Sequence, residues 1–238
     1  MYPDLPVRIS TTRNGVMGCG PAIFIPPREV LSWAAKFHTM YAKYALEVDE
    51  TYDDIIMHAY GPALKFPPTG ELGEIMELIQ RIVGGEVIEK AGRFHVRQRR
   101  GTGPQDDMEM HLVAEGHRKL ALLWLLLRNG SLPEAKVLYW DEPEANMNPS
   151  MVQHVAHILM VLARHGVQIF LASHHYALLK EIDLQKRQAP VKYFALDDSG
   201  ADGVTVTSWD HYAAITPNKI AEEYLRIYDQ ELEHAFGG

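Results

Sequence analysis

Cysteine is nearly absent from this chain, because Cys19 is the only one in 238 residues. A single cysteine excludes an internal disulfide and a metal cage built from cysteines, and it is typical of a reducing compartment. No apolar run approaches the roughly 20 residues of a membrane span. The opening stretch "MYPDLPVRIS" has no basic segment followed by an apolar one, so it does not resemble a secretory signal. We therefore expect a soluble cytoplasmic protein without membrane contact.

Excess positive charge is also lacking, since the formal net charge is −8. That balance excludes a basic field over the whole surface, of the kind that attracts nucleic acid, but it leaves room for a local patch. The stretch "RFHVRQRRG" gathers four arginines on one predicted hairpin: Arg93, Arg97, Arg99 and Arg100. The favoured interpretation is a solvated hairpin, and contact with nucleic acid is the alternative.

The first part of the chain, residues 1–109, predicts linking strands, a helical segment and a hairpin. "AIFIPPRE" is typical of a brief strand stopped by prolines, and apolar residues spaced by three and four predict two helices between residues 28 and 60. We place the break between them near Glu50 to Asp54. A loop at 64–70, a helix over 71–85 and a hairpin over 85–101 that turns at Ala91-Gly92 follow.

From residue 110 to 238 helices alternate with apolar strands. A helix from about Glu115 to Asn129-Gly130 precedes the strand "KVLYWDEP", and a helix beginning at Pro149 precedes the strand "VQIFLASHH". Near-continuous apolar strands of this kind predict an α/β fold with a mostly parallel sheet covered by helices on both faces. "VKYFALDD" and "VTVTSWD" predict an antiparallel edge hairpin, and a helix over 217–235 ends the chain.

Polar groups follow both of the predicted parallel strands. Asp141 and Glu142 end one strand, and His174 follows the next. Active residues of parallel sheets collect at the carboxyl ends of the strands, and the helix that starts near Glu115-Gly116 offers free N–H groups to an anion. Two carboxylates, an imidazole and a helix N-terminus are the groups that handle the metal and terminal phosphate of a nucleotide. A solvated strand-to-loop junction is the alternative for the carboxylate pair.

The motifs at these positions resemble those of a known family. "VLYWDEPEANMNP" is similar to the Walker B motif and D-loop of ATP-binding-cassette ATPases, "LVAEGHRKLALL" to their signature motif, and "IFLASHH" to their switch-histidine strand. The group most similar is that of the SMC-like and overcoming-lysogenization-defect-type ATPases of bacterial defence and toxin–antitoxin loci, known as AAA family ATPases. The resemblance covers residues 110–235 well and residues 22–38 loosely.

The resemblance implies a role for each matching residue. Asp141 would hold Mg²⁺, Glu142 would polarise the water that attacks ATP, and His174 would contact the γ-phosphate. The signature positions Ala114, Glu115 and Gly116 would cap the nucleotide of an opposite protomer in a homodimer, and the D-loop positions Asn146 to Asn148 would touch that protomer. Two residues depart from the family pattern, since Ala114 replaces its serine and Asn148 replaces its aspartate.

The phosphate-loop motif G-x-x-x-x-G-K-[ST] does not occur in the sequence. "RNGVMGCGPA" contains glycines but no following lysine. The motif order of the family would place this loop before residue 1. We therefore expect the C-terminal part of a two-lobed ATPase, as a truncated piece, a late-start product or a subunit completed by a second polypeptide that carries the Walker A motif.

Three functions remain open from the sequence. The first is an ATPase lobe whose cycle drives dimerisation or a conformational switch, with ATP and Mg²⁺ as cofactors. Such a lobe could act on an effector protein and could serve in phage defence or a toxin–antitoxin system. The second is a non-catalytic regulatory or assembly module that keeps the lobe only as an interaction surface, which Ala114 and the missing loop favour. The third is a metal-dependent nuclease that uses Asp141 and Glu142. The sequence disfavours it, because no further carboxylates are clustered there and no lysine is near.

Overall fold

The structure is a computed structural model that describes residues 21–44, 47–98, 106–198 and 203–236. The arginines Arg99 and Arg100 and the glycine-containing stretch 13–20 lie outside the described residues. The strands are β1 (Ala22–Ile25), β2 (Glu86–Lys90), β3 (Arg93–Gln98), β4 (Asp106–Glu109), β5 (Val137–Asp141), β6 (Gln168–Ala172), β7 (Tyr193–Asp198) and β8 (Val204–Trp209). The helices are α1 (Phe37–Tyr44), α2 (Glu50–Ala59), α3 (Glu71–Val83), α4 (Glu115–Arg128), α5 (Ser131–Glu134), α6 (Pro149–Arg164), α7 (Tyr176–Gln185) and α8 (Lys219–Phe236).

The central sheet is parallel, in the order β1-β5-β6. Its strands are in a register that places Ile23, Leu138 and Ile169 side by side. Side chains alternate across a strand, so these residues share the face that points into the core. The predicted α/β class with a mostly parallel sheet is therefore confirmed.

The core beneath the sheet is built largely by α4 and α6. The run "LALLWLLL" of α4 is buried on every side, because α4 lies between other helices and the sheet. Buried residues from both sides of residue 110, such as Ile56, Ile79, Leu123 and Leu159, belong to one continuous core cluster. The division of the chain at residue 110 stays a prediction.

The predicted hairpins are confirmed, and one of them gains a strand. β2 and β3 pair in antiparallel fashion across Ala91 and Gly92, and β4 adds to β3. Sequence periodicity did not predict β4, whose residues Asp106 to Glu109 are mostly acidic. Arg97 is bonded to Asp107 by two hydrogen bonds, of 2.9 and 3.2 Å, which ties β4 in place. β7 and β8 form a separate two-stranded sheet in the described residues.

The predicted break between the first two helices was wrong in position. Residues 50–54 lie inside α2, and the break precedes Asp49. The Asp49 carboxylate accepts a hydrogen bond from the Thr51 N–H at 2.9 Å, so it caps the helix at this point. Hydrogen bonding by Thr51, from its side chain first and then from its backbone N–H, lowers the pKa of Asp49, because the charged carboxylate is the better acceptor.

The prediction that helices cover both faces of the central sheet was also wrong for the described residues. Phe24, Tyr139 and Phe170 point away from the core and are 38%, 41% and 44% exposed. The rings of Tyr139 and Phe170 stack with centroids 5.0 Å apart. We call the surface formed by Phe24, Tyr139 and Phe170 the open face.

Candidate functional site

The two carboxylates at the end of β5 point in different directions. Asp141 is the last residue of the strand and lies on the same face as Tyr139, since side chains alternate. Glu142 follows it with a φ of 44°, a left-handed conformation that is uncommon for a residue with a Cβ. Its N–H donates a 2.9 Å hydrogen bond to the Ala172 carbonyl at the end of β6. The turn after β5 is thereby anchored to the neighbouring strand.

His174 lies directly against Glu142. The imidazole Nδ1 is 2.8 Å from the Glu142 Oε1, and both side chains reach solvent. β6 ends at Ala172, so His174 occupies the loop that follows it. The fold thus joins two of the predicted site residues, which are separated in sequence by α6 and β6.

A buried lysine, which the sequence analysis did not identify, contacts the backbone of Glu142. Lys119 is 2% exposed, and its Nζ donates a 2.9 Å hydrogen bond to the Glu142 carbonyl. This bond holds the peptide of Glu142 in its left-handed conformation, which is a source of strain. Little in the sequence signals this burial, because Lys119 follows the polar residues His117 and Arg118 at the start of α4.

Burial lowers the pKa of Lys119, although the neighbouring carboxylates of Glu115, Glu144, Glu142 and Asp141 act in the opposite direction. The ammonium loses hydration inside the protein, which disfavours its charged form. In the pH range between its folded-state pKa and the usual value of 10.5, the unfolded chain therefore binds more protons than the folded one.

We expect the free energy of unfolding of the parent, relative to Lys119→Met, to rise as the pH rises through this range. The sign follows because a depressed lysine pKa makes deprotonation favour the folded state. Urea unfolding of both proteins at about pH 7.5 and about pH 9.5 measures the difference. Lys65→Met, at an exposed position, serves as the control and should show no such trend. A difference that stays constant or shrinks with pH would contradict the assignment.

A second buried contact joins the turn after β5 to the loop after β6. The Glu144 carboxylate is 6% exposed and accepts a 2.7 Å hydrogen bond from the Ser173 Oγ. The Ser173 Oγ in turn accepts a 3.0 Å bond from the His175 N–H. Sequence reasoning missed Glu144 because a glutamate in a turn is usually solvated. The contact fixes the backbone on both sides of His174.

The start of α4 packs tightly against the turn that precedes α6. A Cβ on Gly116 would lie 3.1 Å from the Met147 Cα and 3.2 Å from the Asn146 carbonyl oxygen, so a larger residue would push this turn away. The Asn146 amide also donates a 2.9 Å hydrogen bond to the Glu115 carboxylate. Ala114 is the exposed residue just before the helix. The predicted signature and D-loop positions are therefore in contact, with Ala114, Glu115 and Asn146 reaching the surface and Gly116 buried beneath the turn.

Asn148 has a local structural role. Its side chain oxygen accepts hydrogen bonds from the Ser150 N–H at 3.0 Å and from the Ser150 hydroxyl at 2.8 Å. It is thus the N-cap of α6, a position where asparagine is among the preferred residues. A nucleotide or protein contact by Asn148 stays a prediction.

A small cleft lies beside the surface formed by Glu115 and Asn146. Its volume is about 290 Å³, and Arg28, Glu29 and Trp33 complete its lining. The mostly buried Glu29 forms an ion pair with Arg118 of α4, with 3.1 Å between Oε1 and Nε. This pair ties the segment after β1 to the α4 helix. The sequence analysis did not identify Glu29 or Arg118.

Asp141, at the end of β5, is the carboxylate that could hold a magnesium ion. Within the described ranges, no three histidine, cysteine, aspartate or glutamate residues are grouped to hold a metal. Mg²⁺ usually keeps several waters and is held by one or two carboxylates together with phosphates of the substrate. Asp141, at a strand end and partly exposed, fits that type of site.

Comparison with protein families identifies the class of protein. Residues 49–180, more than half of the chain, match the model of a family described as an AAA domain, putative AbiEii toxin, of type IV toxin–antitoxin systems. The chain belongs to this AAA-domain family. The resemblance to AAA family ATPases stated from the sequence is thereby confirmed. No curated protein matches the chain.

Among solved structures, SMC head domains are similar to this chain. The head of Pyrococcus furiosus, solved with an extended coiled coil and the C-terminal domain of ScpA, has a TM-score of 0.42 at 14% identity over 66% of this chain and 36% of its own. The Thermotoga maritima head has a TM-score of 0.40 at 14% identity, over 58% and 45%. The Pyrococcus yayanosii head, with coiled coil and joint, has a TM-score of 0.43 at 14% identity, over 75% and 31%. The chain thus spans less than half of each of these structures.

A search of the described segments for membrane spans found no helix with the length and apolar character to cross a bilayer.

Proposed function

We propose that this chain is the lobe of an ATP-binding-cassette-type ATPase that supplies the hydrolytic groups, completed by a second lobe that carries the phosphate loop. The contact between Glu142 and His174 carries the proposal. A carboxylate and an imidazole in contact at the carboxyl ends of neighbouring parallel strands, where such sheets hold their active groups, support the roles of proton acceptor and γ-phosphate ligand.

The roles follow from the positions of the side chains. Glu142 accepts a proton from the attacking water, and the neighbouring imidazole of His174 orients that carboxylate and contacts the terminal phosphate. Asp141, on the other side of the strand end, is the residue that would hold Mg²⁺. The ion supplies charge neutralisation of the phosphates when it is bound. Lys119 fixes the Glu142 backbone so that its carboxylate is positioned before substrate arrives.

The start of α4 is the part that meets a second protomer. Ala114, Glu115 and Asn146 lie together at the surface, and the N–H groups at the helix start suit an anion such as a phosphate. In a homodimer this surface would cap the nucleotide held by the partner. Ala114 offers no hydroxyl, so the N–H groups at the start of α4 would supply that contact. The family description supports a role in a toxin–antitoxin system. An effector protein as partner and a role in phage defence are further parts of the proposal.

A non-catalytic assembly module is the second candidate, and Ala114 is the observation that favours it. If the lobe served only as an interaction surface, then the geometry around Glu142 would have no consequence for ATP turnover. Replacement of Glu142 separates the two candidates, since only the ATPase proposal requires its carboxylate.

We expect the chain alone to bind Mg-ATP weakly and to hydrolyse little. Without G-x-x-x-x-G-K-[ST] in the sequence, most of the donors that neutralise a triphosphate are missing. Isothermal titration with Mg-ATP measures the affinity, and size-exclusion chromatography should show a monomer or weak dimer with and without the nucleotide. Micromolar affinity of the isolated chain would contradict the proposal that a second lobe is required.

A further inference from the structure

The C-terminal helix α8 carries an apolar stripe that the described residues leave largely uncovered. Its apolar residues recur at intervals of three and four, which places them on one side of the helix: Ala221, Tyr224, Leu225, Tyr228, Leu232 and Phe236. We call this surface the α8 stripe. Every residue from Glu222 to Phe236 is exposed, and Leu225 and Tyr228 are 59% and 56% exposed. A surface helix normally turns such a stripe toward the core, so this one is available to a partner.

The start of α8 is fixed to the body of the protein. The Tyr224 ring stacks on Tyr176, with 4.6 Å between the ring centroids, and Lys219 forms an ion pair with Asp197 of β7. Tyr176 is the first residue of α7 and follows His174 by two positions. The α8 helix therefore presents its stripe in a defined orientation, beside the helix that follows the candidate site. A preformed surface of this kind lowers the entropic cost of binding.

Carboxylates border the α8 stripe. Successive residues of a helix are rotated by about 100°, so Asp229 and Glu231 lie on opposite sides of the stripe. Neither carboxylate has a cationic partner in the parts of the chain that the structure describes. The lysine and the arginine of α8 are already neutralised, since Lys219 is in the ion pair with β7 and the Arg226 Nε donates a 2.8 Å hydrogen bond to Glu223. The stripe thus has unpaired negative charge on both flanks.

This charge selects the occupant of the stripe. A second copy of the chain would bring the same carboxylates together, in a molecule whose formal net charge is −8, and like charges in contact oppose association. A lipid surface is also disfavoured, because helices that lie on membranes carry lysine and arginine on their polar face and cytoplasmic leaflets are negatively charged. A polypeptide helix with basic residues beside its own apolar face matches both the stripe and the carboxylates.

We propose that α8 is the docking site of a partner protein, which binds it through an amphipathic helix with lysine or arginine on both sides of the apolar face. The two helices pack side by side. Apolar side chains of the partner cover Leu225, Tyr228 and Leu232, and its cations meet Asp229 and Glu231. This inference goes beyond the proposed function, because the contact needs neither ATP nor a phosphate loop. It gives the surface and the chemistry by which an effector would be recognised.

Peptide binding to the full chain, measured by fluorescence anisotropy without nucleotide, tests the charge selection. The probe is a labelled helix-forming peptide of the length of α8, with leucine at the spacing of the stripe and lysine at the flanking positions. A matched peptide carries glutamate in place of lysine. The lysine peptide should bind at least about tenfold more tightly, because its charges are attracted where those of the glutamate peptide are repelled. Failure of the lysine peptide to bind, or equal binding of the two peptides, would overturn the proposal.

Reversal of the charge on α8 should invert this preference. The double variant Asp229→Lys and Glu231→Lys should bind the glutamate peptide more tightly than the lysine peptide, because attraction and repulsion change places. Glu74→Lys combined with Glu77→Lys on α3 is the matched control, since both carboxylates are exposed but the apolar face of α3 is buried. The control should keep the preference of the parent. A preference that the α8 double variant leaves unchanged would place the peptide elsewhere on the chain and contradict the assignment.

The variant Tyr228→Gln tests the apolar stripe. Glutamine is a good helix former, so α8 should persist while the affinity for the lysine peptide falls roughly 10-fold or more, as for the loss of a central aromatic contact. Phe66→Gln, at an exposed loop position, is the control and should bind as the parent does. Circular dichroism and melting temperatures of both variants should match the parent. Equal binding by Tyr228→Gln and the parent would show that the stripe is not the docking surface.

Two further results would assign the stripe to another occupant, and we expect neither. A parent dimer in size-exclusion chromatography without nucleotide, converted to a monomer by Tyr228→Gln, would make a second copy of the chain the occupant. Sedimentation of the parent, but not of Tyr228→Gln, with vesicles of phosphatidylcholine and phosphatidylserine would make a lipid surface the occupant. Either result would overturn the proposal. Since these measurements use no nucleotide, their outcome is independent of the ATPase assignment.

Discussion

Glu142→Gln should leave ATP binding intact and reduce ATP turnover by roughly 10²-fold or more once the phosphate-loop lobe is present, which is the scale of losing a positioned proton acceptor. Glutamine keeps the shape of the side chain and can still contact His174, so the geometry of the site is preserved. Because ATP then persists, the variant should accumulate as a nucleotide-clamped dimer. Single-turnover hydrolysis and size-exclusion chromatography with ATP measure both effects.

Two comparisons make this result specific to catalysis. The Glu142 side chain is 38% exposed, so the glutamine variant should unfold within about 0.5 kcal/mol of the parent. His174→Ala should lose turnover to a similar degree but clamp the dimer less well, since its imidazole contacts the γ-phosphate itself. Hydrolysis by Glu142→Gln at the parent rate would show that the carboxylate pair is only a solvated strand end.

Asp141→Ala should instead weaken the binding of Mg-nucleotide, roughly 10- to 100-fold, the range seen when an outer partner of a bound metal is removed. The variant would lack the carboxylate that would hold Mg²⁺, so the effect should appear in affinity before it appears in turnover. Titration of the completed protein with ATP in the presence of Mg²⁺, and again with EDTA, measures the loss. The parent and the variant should bind ATP equally in EDTA.

Asp229→Ala is a suitable control, because Asp229 is an exposed carboxylate on α8, far along the chain from β5. It should bind Mg-nucleotide as the parent does. If Asp141→Ala lowered affinity equally with and without Mg²⁺, then Asp141 would act on the fold or on the nucleotide directly, and the metal assignment would be wrong.

The elements that carry the site could be predicted from the sequence. Short apolar runs ending at Asp141 and His174 identify two buried strands, and glycine and asparagine at the end of α4 identify its length. Local patterns of this kind report which residues face the core. They therefore suffice to place the carboxylates and the imidazole at strand ends.

The contacts that hold the site could not be predicted, because they join residues distant in sequence. The bond from Lys119 to Glu142 and the bond from Ser173 to Glu144 depend on how α4 and β6 pack against β5. Periodicity assigns a residue to a face but does not name its partner. A glutamate and a lysine that are buried only because they meet other polar groups leave no pattern in the sequence.

The open face is a feature that the sequence pattern did not predict. The apolar side chains of Phe24, Tyr139 and Phe170 predict strands that are buried on both faces of the sheet, but the described residues cover only one face.

The rate of Mg-ATP hydrolysis by the chain mixed with a polypeptide that carries a phosphate-loop lobe tests the central claim most directly. We predict negligible hydrolysis by either polypeptide alone, and hydrolysis by the mixture that disappears when this chain carries Glu142→Gln. A mixture no more active than the sum of its parts, or one whose activity is unchanged by Glu142→Gln, would contradict the account.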